Sequence, residues 1–487
     1  MAKDALTELT DAARTASASL FDYLSGFTQP TLRLGVTGLS RAGKTVFITA
    51  LVHALVSGGR LPVFRAVGEG RISRAMLAHQ PDDAVPRFAY EDHIATLTGA
   101  DRTWPDSTRQ ISQIRVDLAF ERPSGWFSGG KSSLSLDIID YPGEWLLDLP
   151  LLELTYAEWS RKTLEAARKG AREKPFRSFM ARVADLSAEA PGQESLAREL
   201  AELFTTALVA CRAEGIGLSS LPPGRFLMPG DLAGSPALTF APLPAAGTEA
   251  VASQSLLAMM ERRFEAYKTH VVRPFFRDHF ARLDRQIVLV DVLSAINAGR
   301  EALGDLETAL TDVLGAFRVG QNSILSSMFA PRIDKVLFAA TKADHLHHTN
   351  HDRLENVLRL ITRRSLARVQ GTGSRLDVVA LAAVRATREV QVKRGGEVLD
   401  CIAGVPMAGE RLGDEVFDGI REAALYPGEL PENPAVLLDG SQTVEPVRFL
   451  RFRPPLVPAA HAGGNAPLPH IRLDSALEFL LGDRLNG

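Results

Sequence analysis

Gly38-Leu39-Ser40-Arg41-Ala42-Gly43-Lys44-Thr45 is a complete G-x-x-x-x-G-K-T run, and its flanks decide how it is read. The segment before it, Leu32-Arg33-Leu34-Gly35-Val36-Thr37, is apolar and β-rich and reads as a strand. The segment after it, Val46 to Leu55, is apolar, free of glycine and proline, and reads as a buried helix. Strand, glycine loop and helix form the setting of a loop that binds a nucleoside triphosphate. Gly38 and Gly43 let the backbone wrap its N–H groups around a β-phosphate, with Ser40, Arg41 and Ala42 in the same cradle. The helix N-terminus adds partial positive charge there. Lys44 is expected to reach the β- and γ-phosphates, and the Thr45 hydroxyl to hold Mg²⁺.

Further segments extend this site. Leu134 to Glu144 is an apolar strand running into Asp140-Tyr141-Pro142-Gly143. Asp140 at the strand end is expected to hold Mg²⁺ through water, and the Gly143 N–H to meet a γ-phosphate oxygen. Glu144 stands where a residue that orients the attacking water belongs; a salt-bridged surface glutamate is the other reading. Lys335 to Asp344 is a buried strand ending in Thr341-Lys342-Ala343-Asp344. Asp344 is expected to accept from guanine N1–H and the exocyclic amine, while the Lys342 stem covers the base plane. Adenine offers no N1–H, so leaving Asp344 unpaired costs about 1–3 kcal/mol, on the order of ten- to a hundredfold in favour of guanine. An N-cap aspartate is the alternative. Leu376 to Arg385 is a strand entering Ala382-Ala383-Val384, where Ala383 and Val384 are expected to back the guanine carbonyl through a main-chain N–H.

Ile287 to Leu293 reads as a central parallel strand, with Asp291 taken as structural. With Arg115 to Phe120, six strands emerge in the order of a Ras-like, doubly wound, mostly parallel α/β sheet of the P-loop NTPase type. The first switch falls in Arg102 to Gln110, with Thr108 expected to close on Mg²⁺ and γ-phosphate, and Thr103 as the alternative. Trp104-Pro105 reads equally as a rigid packed turn. An arginine acting in cis is sought among Arg41, Arg102 and Arg109, and turnover is expected to be slow without a partner.

At 487 residues the chain is too long for one core. The expected division is an N-terminal helix (1–28), a GTPase domain in two parts (29–148 and 285–388), an inserted helical domain (149–284) and a C-terminal β-hairpin extension (389–487). Within the insert a long helix over 250–284 is expected to kink or split at Pro274. A formal charge of −3 argues against broad binding to nucleic acid or anionic lipid. Cys211 and Cys401 are far apart and suggest no disulfide framework. No stretch approaches the ~20 apolar residues of a membrane span, and Met1-Ala2-Lys3-Asp4 does not begin a signal peptide, so a cytoplasmic protein is expected. His345, His347, His348 and His351 crowd one helix start; His347 and His351 are spaced to share a face and a metal, although no cysteine is near. Hairpin patterns follow (Val390–Lys393, Gly395-Gly396, Val398–Cys401; later Val447–Leu450), and a final helix is expected over 473–485.

Four stretches together resemble the bacterial YcjX-like family: residues 35–47, Arg102-Thr103-Trp104-Pro105, Asp140 to Trp145, and Thr341 to Leu346. The resemblance spans nearly the whole chain. It implies a stress-associated relative of the Ras-like GTPases that hydrolyses GTP to GDP with Mg²⁺ and carries a large helical insertion. It also implies an inner-membrane or stress-response protein as partner, hence a location peripheral to the inner membrane. A nucleotide-binding scaffold with negligible hydrolysis and an ATPase remain as competing readings.

Overall fold

The computed structural model describes residues 30–39, 41–80, 82–106, 110–123, 130–186, 190–213, 216–244, 253–316, 333–369, 374–440, 449–457 and 466–486. The expected N-terminal helix, Ser40, Thr108 and Arg109 lie outside the described residues.

Seven strands among the described residues build one sheet: β1 (Thr31–Gly38), β2 (Ile72–Leu77), β3 (Ser112–Glu121), β4 (Lys131–Asp140), β5 (Arg285–Val290), β6 (Lys335–Ala340) and β7 (Arg375–Ala380). Their spatial order is β2-β3-β4-β1-β5-β6-β7. β1 pairs in parallel with β4 and β5, and β5–β6 and β6–β7 are also parallel. β2–β3 and β3–β4 are antiparallel, so the sheet is mixed. The strand that sequence patterning omits is β2. It lies at the sheet edge, is largely open to solvent and shifts register between Ile72 and Arg74, so Ile-Ser-Arg-Ala-Met-Leu never forms an unbroken apolar run.

The central strands are apolar throughout because helices cover both of their faces. Leu32, Leu34, Val36, Ile287 and Leu289 face one side, in a core shared with the helices Lys44–Val56 and Leu473–Leu485. Val288, Val290, Val336 and Phe338 face the other. That second core continues without a break into the helices between β4 and β5: Tyr156–Ala167, Glu173–Ala184, Glu194–Cys211 and Leu256–Tyr267. Trp159 sits at the centre of these helices, stacked on Phe264 with ring centroids 5.0 Å apart and edge-on to Phe204 and Phe240. The helix beginning at Leu256 ends at Tyr267, passes through a π-helical turn at Lys268–Val272, and resumes as Arg273–Asp278. Pro274 near the start of that last piece has no N–H to donate back, and the local unwinding absorbs the loss.

After β7, strands β8 (Arg388–Arg394) and β9 (Glu397–Gly404) pair antiparallel. Gly395 and Gly396 join them with φ of 61° and 91°, the left-handed geometry of a tight two-residue turn. The Leu473–Leu485 helix then returns to the sheet, with Leu477, Leu480, Leu481 and Leu485 fully buried. No helix among the described residues is long and apolar enough to cross a membrane.

Candidate nucleotide site

The helix Lys44–Val56 begins at Gly43 (φ 80°), with no side chain capping its first amides and no acid in its first turn. Its positive dipole end therefore faces the loop before it, which favours an anion. Lys44 Nζ donates to Asp140 Oδ1 at the end of β4, and Thr45 Oγ1 donates to the Asp106 carbonyl at 3.3 Å. Asp140 is 1 % exposed, and its Oδ2 has no hydrogen-bond partner among the described residues. A hydroxyl and a carboxylate with an unsatisfied oxygen are hard donors of the kind Mg²⁺ takes, so these residues fit that ion. Gly143 packs directly on this loop: a Cβ there would lie 2.3 Å from the Gly38 carbonyl oxygen, so only glycine permits the approach.

Beside the loop opens a pocket of about 320 Å³. Gly38, Arg41, Ala42, Gly43, Lys44 and Thr45 line it from the loop, and Pro142 and Glu144 from the segment after β4. Thr341, Lys342 and Asp344 line it from the end of β6, and Ala382, Ala383 and Val384 from the end of β7. Four segments, the first and last more than 300 residues apart, thus meet because parallel strands deliver their C-terminal ends to one edge of the sheet. Thr103 does not line the pocket; its amide donates to Thr96 O at 3.0 Å. Arg102 donates through Nε to Pro454 O at 2.7 Å.

At the far end of the pocket Lys342 has φ 62°, and its ammonium donates to Asp291 Oδ2 at 2.5 Å. Asp291 also accepts from Ser294 N and Ser294 Oγ, capping the short helix that follows β5. Burial would raise the Asp291 carboxyl, but the Lys342 charge and these hydrogen bonds outweigh it and hold it below its ordinary value. Asp291 therefore fixes the Lys342 side chain across the pocket, beyond the structural part its sequence position suggests. Asp344 lies in a 3-10 turn (Ala343–His345) seven residues before the helix at His351, so it does not cap that helix. Its Oδ2 accepts from Ala386 N at 2.8 Å, which ties the β6 and β7 loops together.

The histidine pair expected at 347 and 351 does not form among the described residues. His347 and His348 turn toward Glu389, with His348 Nδ1 at 2.8 Å from its carboxylate. His345 packs edge-on against Phe452, and burial lowers its pKa, leaving it neutral at pH 7.

Of four further groups in the pocket wall, the sequence marks only Trp104, in the first-switch stretch or a packed turn, while Phe452, Arg451 and Arg212 carry no signal. Trp104 donates to Phe452 O at 2.6 Å, and both residues line the pocket with Arg451. Arg212, at the end of the Glu194–Cys211 helix, also lines it and pairs with Glu144 at 2.7 Å. Phe452 lies 348 residues from Trp104, and Arg212 itself ends a helix whose pattern reports only burial.

The 3-10 segment Gly143–Glu153 after β4 is clasped by the helical region. Arg225 stacks on Trp145 with its guanidinium 3.2 Å from the ring centroid, and Trp145 Nε1 donates to Met228 O. Asp148 accepts from Tyr267 Oη, Gly224 N and Arg225 N. Burial nonetheless raises the Asp148 carboxyl from 3.8 to about 6. A raised folded-state pKa favours the protonated form, so this stabilisation is complete below about 3.8 and is lost as pH rises through about 6. Asp148→Asn, whose carbonyl still accepts from Gly224 N, removes that loss. Urea unfolding at pH 4 and pH 7 should show the variant gaining on the parent by on the order of 3 kcal/mol between the two. An equal difference at both pH values would contradict the charge at Asp148.

Sheet order, flanking helices and loops meeting at one strand edge define an α/β protein of P-loop-like fold. The chain belongs to the YcjX-like family, DUF463, whose profile matches residues 32–485. It is similar to a "Ras-like GTPase YcjX" of Escherichia coli (strain K12), with 39% identity over 466 residues, covering 93% of this chain and 96% of that one. It is also similar to the protein of the same name from Shewanella oneidensis, with 33% identity over 483 residues, covering 93% and 94%.

Proposed function

We propose that this protein binds GTP and GDP with Mg²⁺ and hydrolyses GTP to GDP and phosphate, the nucleotide state acting on the helical region in a stress-response role. The observation that supports this most is the meeting of loop 38–45, Glu144, Asp344 and Ala383–Val384 around one pocket. The relatives' name, Ras-like GTPase, supports the same reading.

In this reading the uncapped amides of the Lys44–Val56 helix and the Lys44 ammonium hold the β- and γ-phosphates. Thr45, Asp140 (through water) and Thr108 would hold a magnesium ion, which when bound would neutralise charge on the phosphate oxygens. Gly143 offers its N–H to the γ-phosphate, and Glu144 orients the attacking water. The bond from water oxygen to the γ-phosphorus forms as the bond from that phosphorus to the bridging oxygen breaks. The electron pair stays on GDP, and the water's proton ends on the released phosphate. Asp344 reads the guanine edge, Lys342 covers its face from the position Asp291 sets, and the Ala383–Val384 backbone meets the carbonyl.

Asp344→Asn tests the base assignment. An amide inverts one hydrogen-bond demand, so preference should move from guanosine to xanthosine diphosphate, with GDP weakened by about ten- to a hundredfold. Titration with labelled nucleotides measures it; unchanged GDP affinity, or a gain for ADP, would exclude Asp344 as the base reader.

A further inference from the structure

Glu144 is the first residue after the glycine that packs on the phosphate loop, and it is 6 % exposed. Facing it is the Arg212 guanidinium, 2.7 Å from Glu144 Oε1. The contact is an ion pair without hydrogen-bond alignment on that oxygen. Both side chains line the pocket, and Arg212 reaches it from the C-terminal end of the Glu194–Cys211 helix, where Cys211 is fully buried. The backbone around them is tightly fixed: a Cβ on Gly224 would lie 1.9 Å from the Glu144 carbonyl oxygen.

Other arginines at or near the pocket also have partners of their own. Arg451 pairs with Glu410 at 2.6 Å, and it arrives with Phe452 at the base end beside His345. Arg102 is held on Pro454 O, and Arg225 on Trp145. A guanidinium presents five N–H donors in a planar fork, so it can face a carboxylate along one edge and phosphate oxygens along another.

We propose that Arg212 is the arginine that neutralises charge on the transferring γ-phosphoryl group, supplied in cis by the helical region, with Glu144 as its positioning residue. This rests on the GTP-hydrolysis reading above. None of Arg41, Arg102 and Arg109 then fills the role, and the expectation of slow unassisted turnover is revised upward. It also gives the helical region a direct means of reporting the nucleotide state. Arg212 touches the γ-phosphate only while that group is present, so loss of the phosphate removes that contact from the helix end.

The test combines GDP titration, single-turnover GTP hydrolysis and capture of GDP with tetrafluoroaluminate, which imitates the phosphoryl group in flight. Arg212→Ala should bind GDP within about threefold of the parent, hydrolyse GTP slower by roughly 10³-fold or more, and fail to capture tetrafluoroaluminate. Guanidinium ion in solution should restore part of the lost rate, which a purely structural arginine would not allow. Arg212→Lys keeps a positive charge beside buried Glu144 and so guards against a variant that fails to fold; it should be slow as well, because it lacks the fork. Hydrolysis by both variants within threefold of the parent, or tetrafluoroaluminate capture at the parent's level, would overturn the proposal while leaving nucleotide binding intact. A parent protein that binds no guanine nucleotide would instead sink the reading beneath it.

Discussion

Lys44→Ala is expected to weaken GTP and GDP binding by at least a hundredfold and, separately, to lower the melting temperature of the nucleotide-free protein. Both effects come from one side chain. In the proposed function Lys44 gives charge-assisted hydrogen bonds to phosphate oxygens, worth about 1.5–3 kcal/mol each, so losing two reaches that factor. In the described structure the same ammonium is on Asp140 Oδ1. Asp140 is 1 % exposed, and its other oxygen has no partner among the described residues. Truncating Lys44 therefore strands a buried carboxylate, a loss of roughly 3–5 kcal/mol when one partner of a buried pair is removed. Lys44→Arg separates the two roles: it retains charge near Asp140 and should recover most of the stability, while its longer planar head fits the phosphate cradle poorly. Differential scanning of the nucleotide-free variants alongside fluorescent GDP titration measures both. Parent-like GDP affinity in Lys44→Ala would mean that the lysine does not face the phosphates.

The segments that meet at the pocket are legible because each combines a local pattern with a local residue type. β1, β4, β6 and β7 are apolar runs, and each stops at a loop of glycine, aspartate or small residues. Sheet order follows from such strands and the helices between them. The unread parts depend on distance along the chain. Trp104 and Phe452 meet across 348 residues, and neither has a neighbour in sequence that announces the contact. Arg212 looks like any arginine ending an amphipathic helix until the fold sets Glu144 opposite it. Asp291 reads as structural in the sequence, and only the left-handed turn at Lys342 brings the ammonium to it. β2 leaves no apolar pattern in the sequence because an exposed edge strand needs no apolar face.

The final helix gives the other large effect, and it should leave the pocket untouched. Arg285 opens β5 with no exposed surface, and its guanidinium reaches Asp483 Oδ2 at 2.7 Å, Leu480 O at 3.2 Å and Asp334. Lys335, opening β6, donates to Asp483 Oδ1 at 2.6 Å and Phe479 O at 2.8 Å. One carboxylate thus holds two buried cations that begin adjacent strands, and the chain's last helix supplies it. Burial lowers the Arg285 pKa, and Asp483 works against that. Asp483→Ala leaves Arg285 buried with less compensation. Because Asp483 is 42% exposed, the loss should fall near the lower end of the range for broken buried pairs, about 3 kcal/mol. Arg285 lies five residues before Val290, roughly 17 Å along the strand from the pocket end. Under native conditions GDP affinity should therefore stay within twofold of the parent while the urea midpoint falls. Arg285→Met combined with Asp483→Leu should recover only part of the stability, since it removes the buried guanidinium but leaves the buried Lys335 ammonium on Phe479 O without its carboxylate. A weakened GDP affinity with an unmoved midpoint would show instead that the helix acts on the site and not on the sheet.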